Sequence, residues 1–317
     1  MSISKYSKSL SLLAKIALML LVFWLVAQGV DMQEIEKMLR GQNHMAFIGA
    51  SFFFMVQVAL GAVRWRVIMA AIAGAGAQVI SYLRVFKFFY ISVFFNCCLP
   101  GTVGGDVVRV WLIKAEHVPL PLAISSVVID RMIALLALGV MGGFTMPILA
   151  GYIGISAWLI TPAYFLLVAF GLWVLFHMDK IIIRSKFLKK LQWMEFLLQN
   201  IRTVMARPKA GLCSLFYAII SHASFCMTAY ILAESLGNPV SFIDCLTLIP
   251  WVLLISIIPI SIGGWGLREA AMVFFLGLIG VPQEAALTLS IQIGLLAIVA
   301  SIPAGFLWLV GRGRAAK

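Results

Sequence analysis

Apolar residues in this chain come in long blocks, without the two-residue alternation of a half-buried strand or the regular polar stripe of a surface helix. A helix needs about 20 apolar residues to cross a bilayer. Six blocks are read as full spans: Lys15–Val30, His44–Val63, Leu122–Leu149, Ile155–Phe176, Ala210–Leu236 and Ala285–Val310. The first has the basic flank of a signal peptide but no small-residue cleavage site, so it is read as a retained helix. Arg64-Trp65-Arg66 is read as the end of the second span, its two arginines as topology anchors, and the Gly/Ala-rich stretch Ala71–Ala77 as a helix end or tight loop.

Two further apolar blocks are broken. Tyr82–Leu99 runs into Pro100-Gly101-Thr102-Val103-Gly104-Gly105-Asp106, and the arm that follows, Val107–His117, is too short and too charged to cross alone. Cys245–Ile262 likewise runs into Gly263-Gly264-Trp265-Gly266, followed by Leu267–Val281 with Arg268-Glu269 at its start. Basic residues mark cytoplasmic loops. They crowd 179–209, with Lys180, Arg184, Lys186, Lys189, Lys190, Arg202, Arg207 and Lys209, and they close the chain at Arg312, Arg314 and Lys317. With both segments cytoplasmic, parity makes 82–118 a hairpin entering from the cytoplasmic face and 244–283 a hairpin entering from the opposite face. The segment 179–209 is read as a basic connector whose interfacial helix meets anionic headgroups.

Composition agrees with the pattern. Of 317 residues, 63% are hydrophobic and 11% charged, against about 45–50% and about 25% in soluble domains. Mean hydropathy is +1.06. A soluble enzyme, a disulfide scaffold and a disordered chain are excluded. The net charge of +12 sits in the loops and tail rather than on a nucleic-acid face. The five cysteines lie in apolar stretches without paired spacing and the four histidines are scattered, so no metal site, cofactor or catalytic residue is expected. Trp24, Trp65, Trp111, Trp158, Trp173 and Trp308 are read as interface-belt or lipid-facing residues.

The two breaks resemble each other. Laying Pro100 over Pro259 aligns Pro-x-[Ser/Thr]-[Val/Ile]-Gly-Gly-x-x-[Val/Leu]-Arg without a gap, about half a chain apart, and brings Arg109 over Arg268. Since the copies enter from opposite faces, the chain reads as an inverted-topology repeat of the kind transporters use, with the substrate site where broken helices meet. The expected fold is an all-α integral membrane protein with two re-entrant hairpins and about six full spans, eight full spans being the alternative. Residues 1–317 form one transmembrane domain, with a first repeat at 44–149, the connector at 179–209 and a second repeat at 210–310.

This pattern suits a phosphate-bearing substrate. Glycine permits a tight reversal that a β-carbon would block, and the unpaired N–H groups of the helix start behind it attract anions. Charges at bilayer depth are costly and are paired or functional. Arg109, Arg131 and Arg268, with Thr102, Gly104, Gly105, Ser261, Gly263 and Gly264, are the expected lipid-phosphate contacts, because arginine binds phosphate bidentately and keeps its charge in a dry site. Asp106, Asp130 and Glu269 are read as ion-coupling or ion-pairing carboxylates. A purely structural role, with ion pairs locking the hairpins to neighbouring spans, is the competing reading.

Leu99-Pro100-Gly101-Thr102-Val103-Gly104-Gly105-Asp106-Val107-Val108-Arg109, Asp130-Arg131 and Gly263-Gly264-Trp265-Gly266-Leu267-Arg268-Glu269 resemble the hallmark positions of the lysylphosphatidylglycerol synthase transmembrane-region family. In its best-known members this region is joined to a soluble aminoacyl-transferase domain and flips the aminoacylated lipid; the present sequence is read as the transmembrane region without that domain. The resemblance implies a stand-alone bacterial inner-membrane lipid translocase with cytoplasmic termini. Its cargo would be a phospholipid or polyprenyl-phosphate glycolipid, and a lipid or glycan synthase is the candidate partner. An integral transferase acting on lipid is the alternative, as is a non-transporting membrane partner.

Overall fold

The computed structural model describes residues 43–74, 80–98, 103–184, 192–237, 240–257 and 266–315, with a few positions between 33 and 41; the side chains of 172, 174–195 and 311–317 lie outside the description. The expected span at Lys15–Val30 and the residues Thr102, Ser261, Gly263 and Gly264 fall outside it. Every regular element among the described residues is helical: α1 His44–Ala73, α2 Tyr82–Cys98, α3 Gly104–Lys114, α4 Leu120–Tyr152, α5 Ala157–Arg184, α6 Gln192–Met205, α7 Pro208–Ser235, α8 Phe242–Ser256, α9 Leu267–Gly277 and α10 Gln283–Ala315.

Among the described residues, four helices are long and apolar enough to cross a membrane: α1, α4, α7 and α10. The apolar part of α5, Ala157–Gly171, and the whole of α8 are shorter. Large apolar side chains point outward along α5, where Trp158 is 89% exposed and Leu159, Leu166, Leu167 and Phe170 are exposed as well. In water such a surface would be an aggregation hazard; in lipid it is an ordinary exterior. Element lengths recur. A helix of 30 residues, two of 17 and 11, and one of 33 make up α1–α4. Helices of 28, 15, 11 and 33 residues make up α7–α10.

The chain forms two compact units that interleave in sequence. One contains residues 1–56, 90–107 and 223–317; the other contains 57–89 and 108–222. In the second unit, Ala62 and Trp65 of α1 pack with Val85 and Phe88 of α2, Ile113 of α3 and Ala123 and Val127 of α4. A further layer joins Ile68 and Ala71 of α1 and Ile129 of α4 to Leu198, Ile201 and Val204 of α6. The connector helix therefore buries its apolar face on the protein. Its 3–4-residue spacing of apolar positions was legible, but periodicity cannot say whether lipid or protein covers the stripe.

Arg64-Trp65-Arg66 does not end the first described span. Helix α1 continues to Ala73 and stops at Gly74, whose φ of +83° turns the chain. Arg64 and Trp65 are buried, so neither is a topology anchor or a belt residue. A paired charge can stay inside the helix bundle, and the apolar run Val67–Ala73 behind the cluster carries the helix on.

In the first unit, the start of α3 lies against α2. A β-carbon on Gly105 would stand 2.0 Å from the Ser92 carbonyl oxygen and 2.7 Å from the Asn96 side chain. The Gly105 N–H donates to Asn96 Oδ1 at 2.8 Å, satisfying one of the orphan donors of the helix start. At the other end of the same helix pair, Arg84 donates to Glu116 at 2.7 Å. Helices α2 and α3 therefore run antiparallel. Helix α9 packs against both α8 and α10.

Candidate functional site: two buried arginine clusters

Asp130 lies in α4 on a face it shares with Ser126 and Ala134, since residues four apart stack along a helix. One carboxylate oxygen accepts Arg64 Nε at 2.7 Å and the other accepts Arg109 Nη1 at 2.9 Å. The Arg109 and Asp130 side chains are both 2% exposed. The carboxylate thus joins α1, α3 and α4 through two charge-assisted bonds. The Arg109 guanidinium also lies over two aromatic rings, 5.0 Å from the Trp65 centroid and 4.9 Å from that of Phe89, where the ring faces favour a cation. Trp65 is itself fixed, its indole N–H donating to Ser126 Oγ at 3.2 Å. One turn along α4, the carbonyl of Ala134 contacts His222 Nε2 of α7 at 3.1 Å.

The second cluster surrounds Glu269 in the other unit. Gly266, with φ +85°, precedes the first residue of α9, and its N–H donates to Glu269 Oε2 at 2.5 Å. This is one arm of a capping box, and the positive φ explains a glycine there. The other oxygen, Oε1, accepts Arg268 Nη2 at 2.7 Å and Ser290 Oγ of α10 at 3.1 Å. Arg268 Nε donates to the same Ser290 oxygen at 3.1 Å. Glu269 is fully buried, while the Arg268 side chain keeps 13% of its surface.

The clusters share a design. In each, an arginine on an 11-residue helix, mid-helix for Arg109 and in the first turn for Arg268, reaches a residue on the next 33-residue helix, 21 positions on for Arg109 to Asp130 and 22 for Arg268 to Ser290. They differ in where the acid sits. Asp130 is on the long helix, whereas Glu269 is on the short helix beside its arginine.

Of the residues expected from sequence, Arg109 meets Asp130 and Arg268 meets Glu269. Arg131 is half-buried on a neighbouring face of α4. Asp106 is buried in the first turn of α3, and Gly104 opens that helix. The close backbone approach expected of the glycine pair belongs to Gly105. Arg64, Trp65, Phe89 and Ser290 were missed as site residues. For Arg64 a signal existed in the apolar run that follows it; Ser290 is one hydroxyl among many in an apolar helix and carries none. No group of three or more His, Cys, Asp or Glu among the described residues could hold a metal ion.

The family model for the lysylphosphatidylglycerol synthase TM region matches residues 12–305. A UPF0104 membrane protein of Pyrococcus horikoshii is 24% identical to this chain over 311 residues, covering 89% of this chain and 90% of that protein. With its membrane-length helices, its buried arginine clusters and a match along nearly its whole length, the chain belongs to the lysylphosphatidylglycerol synthase transmembrane-region family.

Proposed function

We propose that this protein is a lipid translocase of the bacterial inner membrane, with cytoplasmic termini, that moves a phosphate-bearing lipid or polyprenyl-phosphate glycolipid between leaflets and performs no chemistry on it. The observation that carries the reading is the repeated placement of an arginine on a short 11-residue helix, each paired with a buried carboxylate, Arg109 on α3 and Arg268 on α9, in a chain of membrane-length helices. Recurring helix lengths support an inverted repeat, with α2–α3 and α8–α9 as its re-entrant hairpins. The guanidinium forks of Arg109 and Arg268 match the oxygens of a phosphate. Arg131, Thr102, Gly104, Gly105, Ser261, Gly263 and Gly264 would complete the polar path. Asp106, Asp130 and Glu269 would balance its charge or couple it to an ion. The partner would be the enzyme that makes or consumes the lipid.

The test is reconstitution of purified protein into proteoliposomes that carry a fluorescent phospholipid or polyprenyl-phosphate probe, with quenching of the outer leaflet. The protein should accelerate exchange between leaflets, and Arg268→Lys should slow it tenfold or more. Exchange no faster than in empty liposomes for either probe would refute the reading. A second reading, a non-transporting membrane partner, draws on the Arg64–Asp130–Arg109 clamp, which is closed and almost fully buried as a structural lock would be.

A further inference from the structure

Two adjoining openings lie at the Ala73 end of α1, and neither is lined by Arg109 or Arg268. The larger, about 430 Å³, is lined by Arg66, Val67, Ala70, Ala71, Arg207 and Ala210. The smaller, about 40 Å³, shares Arg66 and Ala70 with it and is lined chiefly by apolar side chains, Met69, Ile72, Val118 and Leu122 among them. All of these residues belong to one compact unit.

Arg66 is half-buried, and its Nε donates to the Ile80 carbonyl at 3.1 Å, which fixes the guanidinium. Arg207 occupies the turn between α6 and α7, where its carbonyl accepts the Ala210 and Gly211 N–H groups at 2.9 and 3.1 Å. No described carboxylate pairs with either arginine. In this unit Asp130 is taken by Arg64 and Arg109, and Glu116 by Arg84. Two cations therefore border one cleft with no counter-ion among the described side chains. Arg66 is partly out of water, where a charge is costly unless an anion accompanies it, and the exposed Arg207 adds a second positive charge to the same cleft. The guanidinium fork matches phosphate oxygens in particular. A soluble phosphate would use only the polar cleft; the apolar slot that shares Arg66 asks for a hydrocarbon chain on the same molecule.

We propose that this cleft binds an anionic phospholipid, its headgroup phosphate between Arg66 and Arg207 and a short length of one acyl chain against Met69, Ile72 and Leu122. The site is separate from Arg109 and Arg268 and does not depend on the translocase reading.

The test uses the full chain in a mild detergent and follows its thermal unfolding during titration with phosphatidylglycerol, phosphatidylcholine or inorganic phosphate. Phosphatidylglycerol should raise the unfolding midpoint, and the other two should not. The variants R207Q and R66Q/R207Q should need at least tenfold more phosphatidylglycerol for half the effect, a loss of about 1.4 kcal/mol or more, whereas K114Q, which removes an exposed cation elsewhere in the same unit, should respond as the wild type does. Arg207 is exposed, so R207Q decides the matter even if the double variant folds poorly. A response that survives R207Q, or that vanishes equally in K114Q, belongs elsewhere and overturns the proposal. Equal responses to phosphate or to phosphatidylcholine would also overturn it, reducing the cleft to a free-anion site or an apolar groove.

Discussion

Replacing Asp130 with asparagine keeps the shape of the side chain and removes its charge, leaving Arg64 and Arg109 buried without the carboxylate that accepts from both. Removing one partner of a buried ion pair costs about 3–5 kcal/mol, because the remaining charge stays desolvated. The two bonds lost here, at 2.7 and 2.9 Å, are of the charge-assisted class. Asp130→Asn should therefore be destabilised by about 3–5 kcal/mol. Arg64→Met alone should cost less, since Asp130 keeps its bond to Arg109. The triple variant Arg64→Met, Arg109→Met, Asp130→Leu should recover most of the loss, because apolar replacement of a whole buried cluster is often neutral or stabilising. Unfolding in mixed detergent micelles, followed by tryptophan fluorescence, measures all three. Asp130→Asn as stable as the wild type, or a triple variant no better than Asp130→Asn, would refute the reasoning. Lipid exchange measured on a folded triple variant then separates architecture from transport: exchange at the wild-type rate would assign the clamp to the fold alone.

Gly105→Ala should cost at least the 1–3 kcal/mol of an overpacked core, because the new methyl would collide with the Ser92 backbone, which cannot rotate away; the unfolding titration shows it. Gly266→Ala should lose about 1–2 kcal/mol to its positive φ. Glu269→Gln should lose more, since it removes the charge beside Arg268 while keeping an acceptor for the Gly266 N–H; thermal unfolding of the pair should rank them so. For the inverted-repeat topology, single cysteines at Ala115 and Gln283 in a cysteine-free background should label from opposite sides of sealed vesicles, and same-side labelling would break it.

The membrane class, the long helices and the interruption of α2–α3 and α8–α9 were legible in the sequence because they depend on local quantities: apolar run length, glycine placement and charge density. The residue identities of the clusters were half legible. Arg109, Asp130, Arg268 and Glu269 stand out because a charge in an apolar run is rare whatever surrounds it. Their partners were not, because pairing is a property of three-dimensional neighbourhood. Arg64 looked like the end of a span until Asp130, 66 residues away, proved to neutralise it. Trp65 looked like a belt residue until α2, α3 and α4 closed over it. The stripe on α6 could have faced lipid or protein, and only the packing of Ile68 and Ile129 against Leu198 and Ile201 decided for protein. The sequence by itself determined which segments leave water, since transfer free energy sums along the chain. Tertiary structure decided which charges could follow them, since a buried ion is tolerated only where the fold supplies its counter-ion.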